Sequence, residues 1–231
     1  MGLWDGTAHD LFGAEFWQTL SLVGGRYSLP FINRYRDFVM ATPSQFDNET
    51  FSLARDHLAA FIQRTAAMLA TQSGKLLEVG PQDRSLVREC FANFEVDTFD
   101  VVDTYKPTLV GDITKINKFI PDSAYDCVVC MEVLEHTLNP FDAVKEIRRI
   151  LKDGGYLLIS APLNWRIHGP SPDCWRITEH GWNALLRDFD IVEIESLESP
   201  GRELFPIRYN VLAKCNKQKN SQDHELSFRF I

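Results

Sequence analysis

From Lys75 onward the chain alternates short apolar runs with amphipathic stretches, and few architectures accommodate that rhythm. "KLLEVG", "VDTFDVVD", "YDCVVCM" and "GGYLLISAP" have strand length and a high Val, Ile and Leu content. "RSLVRECFANF", "PFDAVKEIRRIL" and "EHGWNALLRDF" stand between or after them with helical character. Strands that lack a polar face must be covered on both sides, so this pattern predicts an α/β domain built on a mostly parallel sheet. In "FDAVKEIRRIL" the residues Phe141, Val144, Ile147, Ile150 and Leu151 recur at helical spacing, and "KDGG" supplies the stop. The last two runs differ. "IVEIESL" and "YNVLAKC" are joined by "ESPGRELFPIR", which has no helical pattern, so they become antiparallel neighbours if they pair.

Ahead of the sheet, "FSLARDHLAAFIQRTAAML" predicts a helix, and before it lies a segment carrying Trp4, Phe12, Phe16, Trp17, Tyr27, Phe31, Tyr35 and Phe38. Aromatics of this kind either cover a sheet edge or cap a ligand cleft, with Trp17 the candidate acceptor contact. The division expected is an N-terminal helical, aromatic-rich cap over 1–72, the α/β domain over 73–216 and a polar tail over 217–231.

A chain of 231 residues with 45% hydrophobic content can bury a sizeable core. Its 24 Lys and Arg against 32 Asp and Glu give a net charge of -8, with no basic block to track a phosphate backbone, so no nucleic-acid partner is expected. No apolar run approaches the roughly 18 residues of a membrane helix, and the N-terminus lacks a secretory pattern, so no membrane partner and a cytoplasmic location are expected. Oligomeric state stays open, a homodimer included. Five cysteines without a secretory signal read as reduced thiols. Cys127 and Cys130 have a metal-pair spacing, but residues three apart in a strand face opposite sides, which makes them two small buried residues.

In an open parallel sheet, ligands bind beyond the carboxyl ends of the strands. Glu78 and Gly80 close the first run, Asp100 and Asp103 the second, and Asp112 follows in "VGDI". "MEVLEH" and "APLNWRIH" follow the next two strands.

With these residues in place, "LLEVGP", the acid ending the next strand, "GDI" and "YDCVVCMEVLEHTLNPFDAVKEIRRILKDGGYLLISAP" together resemble the class I S-adenosylmethionine-dependent methyltransferases, in particular a group with "EVLEH" and "LKPGG"-like motifs. The resemblance spans roughly Lys75 to Cys215. It implies a Rossmann-like, doubly wound, mostly parallel seven-stranded sheet ending in an antiparallel hairpin, and S-adenosyl-L-methionine as cofactor. It further implies that Glu78, Gly80 and Pro81 lie under the methionine part of the cofactor, that Asp103 (or Asp100) takes the ribose hydroxyls, that Asp112 and Ile113 meet the adenine, and that Cys130 and Met131 line the site. Pro81-Gln82-Asp83 stands where the family usually carries further glycines. A sulfonium cofactor has no pyrophosphate for that loop to cradle, so the departure argues against a nicotinamide cofactor.

The resemblance extends to "HGPSPDCWR", similar to an H-x-x-P-x-D-x-W-R pattern associated with glycan and natural-product tailoring, although Pro170 and Pro172 are displaced from it. His136 and His168 both follow strands at the ligand-binding end and are the candidate bases; with Asp173 they are the candidate catalytic residues, and the resemblance makes Trp175 and Arg176 acceptor contacts for a sugar-containing or other small-molecule acceptor. The plainer alternative pairs Asp173 with Arg176 and packs Trp175. If "EVLEH" is helical, Glu132, Glu135 and His136 share a face and form a candidate divalent-metal set, as similar runs do in some O-methyltransferases. O-methylation is the leading expectation. N-methylation, metal-assisted O-methylation and a non-catalytic binding protein that keeps the fold are the alternatives.

Overall fold

The structure, a computed structural model, describes residues 43–82, 84–170 and 172–219. The expected acceptor contact Trp17 and the other aromatics of the N-terminal segment lie outside these residues.

The first element is α1 (Gln45–Met68), which begins six residues before the apolar periodicity does. Ser44 sets that start: its hydroxyl accepts from the Asp47 amide at 3.1 Å while the Asp47 carboxylate accepts from the Ser44 amide at 2.8 Å, a reciprocal cap. There follow β1 (Gly74–Val79), α2 (Leu86–Cys90), β2 (Phe94–Asp100), β3 (Leu109–Val110) and β4 (Tyr125–Met131). A 3-10 turn (Leu134–His136) leads to α3 (Pro140–Ile150), capped by the Asn139 side chain, and to β5 (Leu151–Pro162). The chain closes with α4 (Glu179–Leu185), β6 (Phe189–Glu198) and β7 (Pro206–Cys215).

The seven strands form one sheet in the order β3-β2-β1-β4-β5-β7-β6. The first five are parallel, and β7 runs antiparallel to both its neighbours, β5 and β6. This is the expected mostly parallel Rossmann-like sheet, with the hairpin signalled by the helix-free stretch before Pro206. Alternation of side chains along each strand divides the core between the two faces. Leu77, Val79, Val128 and Ile159 pack with Ile147 of α3 and Trp182 of α4. Leu76, Cys127 and Leu158 pack with Phe61 of α1 and Phe91 beside α2. Cys127 and Cys130 fall on opposite faces, both fully buried, which removes them as a metal pair. Among the described residues no helix is long and apolar enough to cross a membrane.

Strand β1 pairs with β2 on one side and β4 on the other, so the direction of strand addition reverses between β1 and β4. The crevice outside the carboxyl ends of those two strands is where an open α/β sheet binds its ligand.

Candidate active site

On the β1 side of that crevice stands Gly80, at φ +69°, where a Cβ would come within 2.8 Å of Val133 Cγ2. Only glycine meets both conditions without strain. Its amide donates to the Phe99 carbonyl at 2.8 Å, tying the loop to β2. Two residues earlier Glu78 is 7% exposed, and burial pushes its carboxyl up to about 7 against the opposing pull of Arg88 and Arg84. Pro81 is buried beneath the same loop.

The acid closing β2 is Asp100 and not Asp103. Asp100 Oδ1 accepts from the Val102 amide at 3.2 Å, an Asx turn that ends the strand and leaves Val101 67% exposed. Asp103 lies in the turn beyond, paired with Lys106 at 2.9 Å. Past β3, Asp112 Oδ1 accepts from the Thr114 amide and hydroxyl, whereas Ile113 turns into the core. Cys130 is also a core residue, fully buried with its thiol pushed up by desolvation, so it cannot line an open cofactor cleft. Met131 is half-buried at the strand end.

The chain leaves β4 through Glu132, whose φ of +57° is left-handed, a costly conformation for a residue with a Cβ. It is held there from several sides. Its amide donates to the Ser160 carbonyl and hydroxyl, the Ser160 hydroxyl donates to Glu132 Oε1 at 2.8 Å, and Arg208 Nη2 donates to Oε2 at 2.6 Å. Arg208, 6% exposed, also donates through Nη1 to the Ala54 carbonyl of α1 at 3.0 Å. The segment after β4 is therefore a kink followed by a 3-10 turn. The helical face expected to gather Glu132, Glu135 and His136 does not form.

A different trio converges instead. Glu135 is fully buried, and neither carboxylate oxygen has a hydrogen-bond partner among the described residues. Burial, and then the charge of Glu132, raise its pKa well above the usual carboxylate range. His136 Nε2 is 3.8 Å and His168 Nε2 3.9 Å from Glu135 Oε1, and the two rings meet edge to face at 4.9 Å. Each ring is fixed from behind: His136 Nδ1 lies 2.9 Å from the Pro172 carbonyl, and His168 Nδ1 lies 3.3 Å from Asp173 Oδ2. Burial lowers the pKa of His136. Asp173 is pushed up by burial, but hydrogen bonds from Arg176 and His168 outweigh that and hold it below the usual range. Glu135, His136 and His168 each present one donor atom within 4.8 Å of the others.

Trp175 and Arg176 have structural partners. Trp175 Nε1 donates to the Thr137 carbonyl at 2.8 Å. Arg176 forms two bonds to Asp173, at 2.5 and 2.8 Å, and gives its other donors to the carbonyls of Trp165, Arg166 and Trp175. The plainer reading of the pair is the one the geometry has. Beside them, α1, the segment after β5 and the β6–β7 loop border an open cleft of about 630 Å³. The residues sequence reasoning missed here are Ser160, Arg208, Arg202 and Phe205.

Comparison with known proteins gives these features a setting. A family model described as a methyltransferase domain matches residues 51–195. Equisetin synthetase of Fusarium heterosporum is 28% identical over 142 residues, 54% of this chain and 3% of that protein. The ubiquinone biosynthesis O-methyltransferase of Glaesserella parasuis serovar 5 is 36% identical over 56 residues, 24% of each chain. The chain thus spans a small part of the length of the curated relatives it matches. A SAM-dependent methyltransferase from Archaeoglobus fulgidus has the same fold, with a TM-score of 0.57 and 18% identity over 69% of this chain and 94% of that one. The DszA carbon methyltransferase superposes with a TM-score of 0.56 and 16% identity, over 70% of this chain and 54% of that one.

Proposed function

The chain belongs to the S-adenosylmethionine-dependent methyltransferases, and from that premise we propose that it methylates an oxygen of a polar small-molecule acceptor. The residues at the crevice fit the cofactor. A buried carboxylate at Glu78 complements an ammonium group, Gly80 keeps the loop free of a Cβ that would strike Val133, and Asp100 and Asp112 offer acceptors to ribose hydroxyls and an adenine amino group. When bound, the cofactor supplies a methyl group on a sulfonium, an electrophile with a good leaving group. The protein's own task is then to orient the acceptor and take its proton.

The observation that carries oxygen as the target atom is the fixed His168. Its Nδ1 has the Arg166 carbonyl and Asp173 Oδ2 both at 3.3 Å, which leaves Nε2 as the atom facing the buried Glu135 and His136. This is the arrangement of a base oriented by a carboxylate, and a hydroxyl needs such a base more than a neutral amine does. A sugar-containing, glycan or natural-product acceptor has less support, because Trp175 and Arg176 give their donors to the protein itself.

A second reading has its own observation. Two imidazole Nε2 atoms and an unpartnered buried carboxylate, with both Nδ1 atoms held by oxygens behind them, make a donor set suited to a divalent metal. In that reading Glu135, His136 and His168 would hold the ion, Glu132 would not, and the ion would supply Lewis acidity toward an acceptor hydroxyl.

Two measurements test the cofactor site. Calorimetry with S-adenosylhomocysteine is expected to give micromolar binding that weakens at least about tenfold in Asp100→Ala and is unchanged in Asp103→Ala, since one hydrogen-bonded acid contributes about 1.5–3 kcal/mol. Loss in Asp103→Ala alone would put the ribose acid back in the turn, and no binding at all to the folded chain would leave a binding protein that keeps only the fold. The second measurement is pH dependence. Glu78 gains a proton as pH falls through about 7 and loses the charge that attracts the ammonium. Cofactor affinity is therefore expected to fall by up to about tenfold per pH unit below that point, and Glu78→Gln to be weak and flat between pH 5.5 and 8.

A further inference from the structure

We propose that the acceptor carries a carboxylate, which Arg202 engages at the outer wall of the 630 Å³ cleft. The inference rests on the cleft being the acceptor site of the methyltransferase reading, and it goes further by naming the acceptor's charge.

Asp173 lines the cleft and accepts from the His168 backbone amide at 2.8 Å, which places the cleft one residue from the trio, although Glu135, His136 and His168 do not themselves line it. Phe46, Trp165 and Phe205 give it aromatic walls suited to a ring. Its charges are unequally occupied. Asp173 and Arg176 neutralise each other through two short bonds. Asp47 caps α1 by accepting from the Ser44 amide and hydroxyl, and lies 3.4 Å from Arg166. Arg202 is left with no acidic partner among the described residues. Its guanidinium carbon stands 3.4 Å above the centre of the Phe205 ring.

That stack decides what Arg202 can do. A guanidinium whose carbon is held against an aromatic face gains a cation–π contact there and keeps planar N–H donors to offer a ligand. Fixed in this way, it matches the two oxygens of a carboxylate and loses less side-chain freedom on binding than a free arginine would. The chain as a whole carries a net charge of -8, so an anionic acceptor is repelled at a distance and needs a local cation to be held.

Ligand-observed NMR titration of the full chain with 2-naphthoate, 2-naphthamide and 2-naphthyl phosphate tests the assignment, alongside calorimetry with S-adenosylhomocysteine. Naphthoate is expected to bind roughly tenfold more tightly than the amide, and Arg202→Gln to abolish that difference while leaving S-adenosylhomocysteine binding unchanged, the scale of one charge-assisted pair. Phe205→Leu, which removes the brace but not the cation, is expected to give an intermediate loss. Arg202 sits on an exposed loop, so its replacement does not threaten folding. Equal binding of acid and amide, or undiminished naphthoate binding in Arg202→Gln, overturns the proposal. A tenfold preference for the naphthyl phosphate overturns the carboxylate in favour of a phosphate. Naphthoate selectivity without any S-adenosylhomocysteine binding sinks the methyltransferase reading and leaves the anion site standing.

Discussion

Arg208→Ala is expected to cost about 3 kcal/mol of folding stability, the lower end of what removing one partner of a buried ion pair does, and to lower the melting temperature by roughly 10 °C in a domain of this size. The side chain is 6% exposed and joins Glu132 of the β4 end to the Ala54 carbonyl of α1. Its loss strands a largely buried carboxylate in a left-handed backbone and removes the second donor of a buried helix carbonyl. Arg64→Ala is the control. That arginine also bridges elements, reaching Glu193 and Glu195, but its side chain is 52% exposed, and its removal is expected to cost less than about 1 kcal/mol. Denaturant unfolding of both variants, with Glu132→Ala to complete a double-mutant cycle, separates the pair's coupling from packing. If Arg208→Ala and Arg64→Ala prove equally mild, the clamp described here has no mechanical weight.

The second large effect is on turnover. Once an acceptor is in hand, His168→Ala is expected to lower kcat by about 10²–10⁴-fold, the range for loss of a positioned base, with S-adenosylhomocysteine affinity unchanged. Asp173→Asn, which leaves the ring in place but alters what its Nδ1 meets, is expected to fall between wild type and His168→Ala. Glu135→Gln divides the two mechanisms. If His168 acts alone, the variant retains most activity and chelator has no effect on either protein. If the trio holds a metal, Glu135→Gln is as damaged as His168→Ala, chelator inactivates the wild type, and zinc or manganese restores it. A His168→Ala variant with near wild-type kcat would exclude both.

The sheet was legible because its signals are local. Strand runs of Val and Ile, the helical spacing of Val144, Ile147 and Ile150, and the helix-free connection before Pro206 each follow from neighbours in sequence, and the structure has all three. The start of α1 was legible too, in Ser44 and Asp47, but the apolar periodicity begins later and drew the boundary with it. The site was less legible for two reasons. Reading "EVLEH" as a helix grouped Glu132 with Glu135 and His136, and nothing in those five letters announces a left-handed Glu132. What stabilises it is Ser160 and Arg208, the latter 76 residues away. Likewise "FDVVD" offers two acids, and its valines favour extending the strand to Asp103. The Asx turn at Asp100 decides otherwise. Arg202 and Phe205 were passed over because "ESPGRELFPIR" reads as a connection, and only its approach to Trp165 and α1 makes it a wall.

The place of β7 in the sheet also sets an order of events during synthesis. Among the described residues it is the last strand to be made, yet it lies between β5 and β6, and it carries Arg208. Until Cys215 has left the ribosome, β5 presents an unpaired edge and Glu132 has no arginine to hold it, while β1 to β5 can already pair. A nascent chain paused before Pro206 thus has a nearly complete sheet with one sticky edge and an unfinished catalytic end. Protection of the β5 edge and the Arg208 contact that holds Glu132 therefore arrive together, when this strand is added.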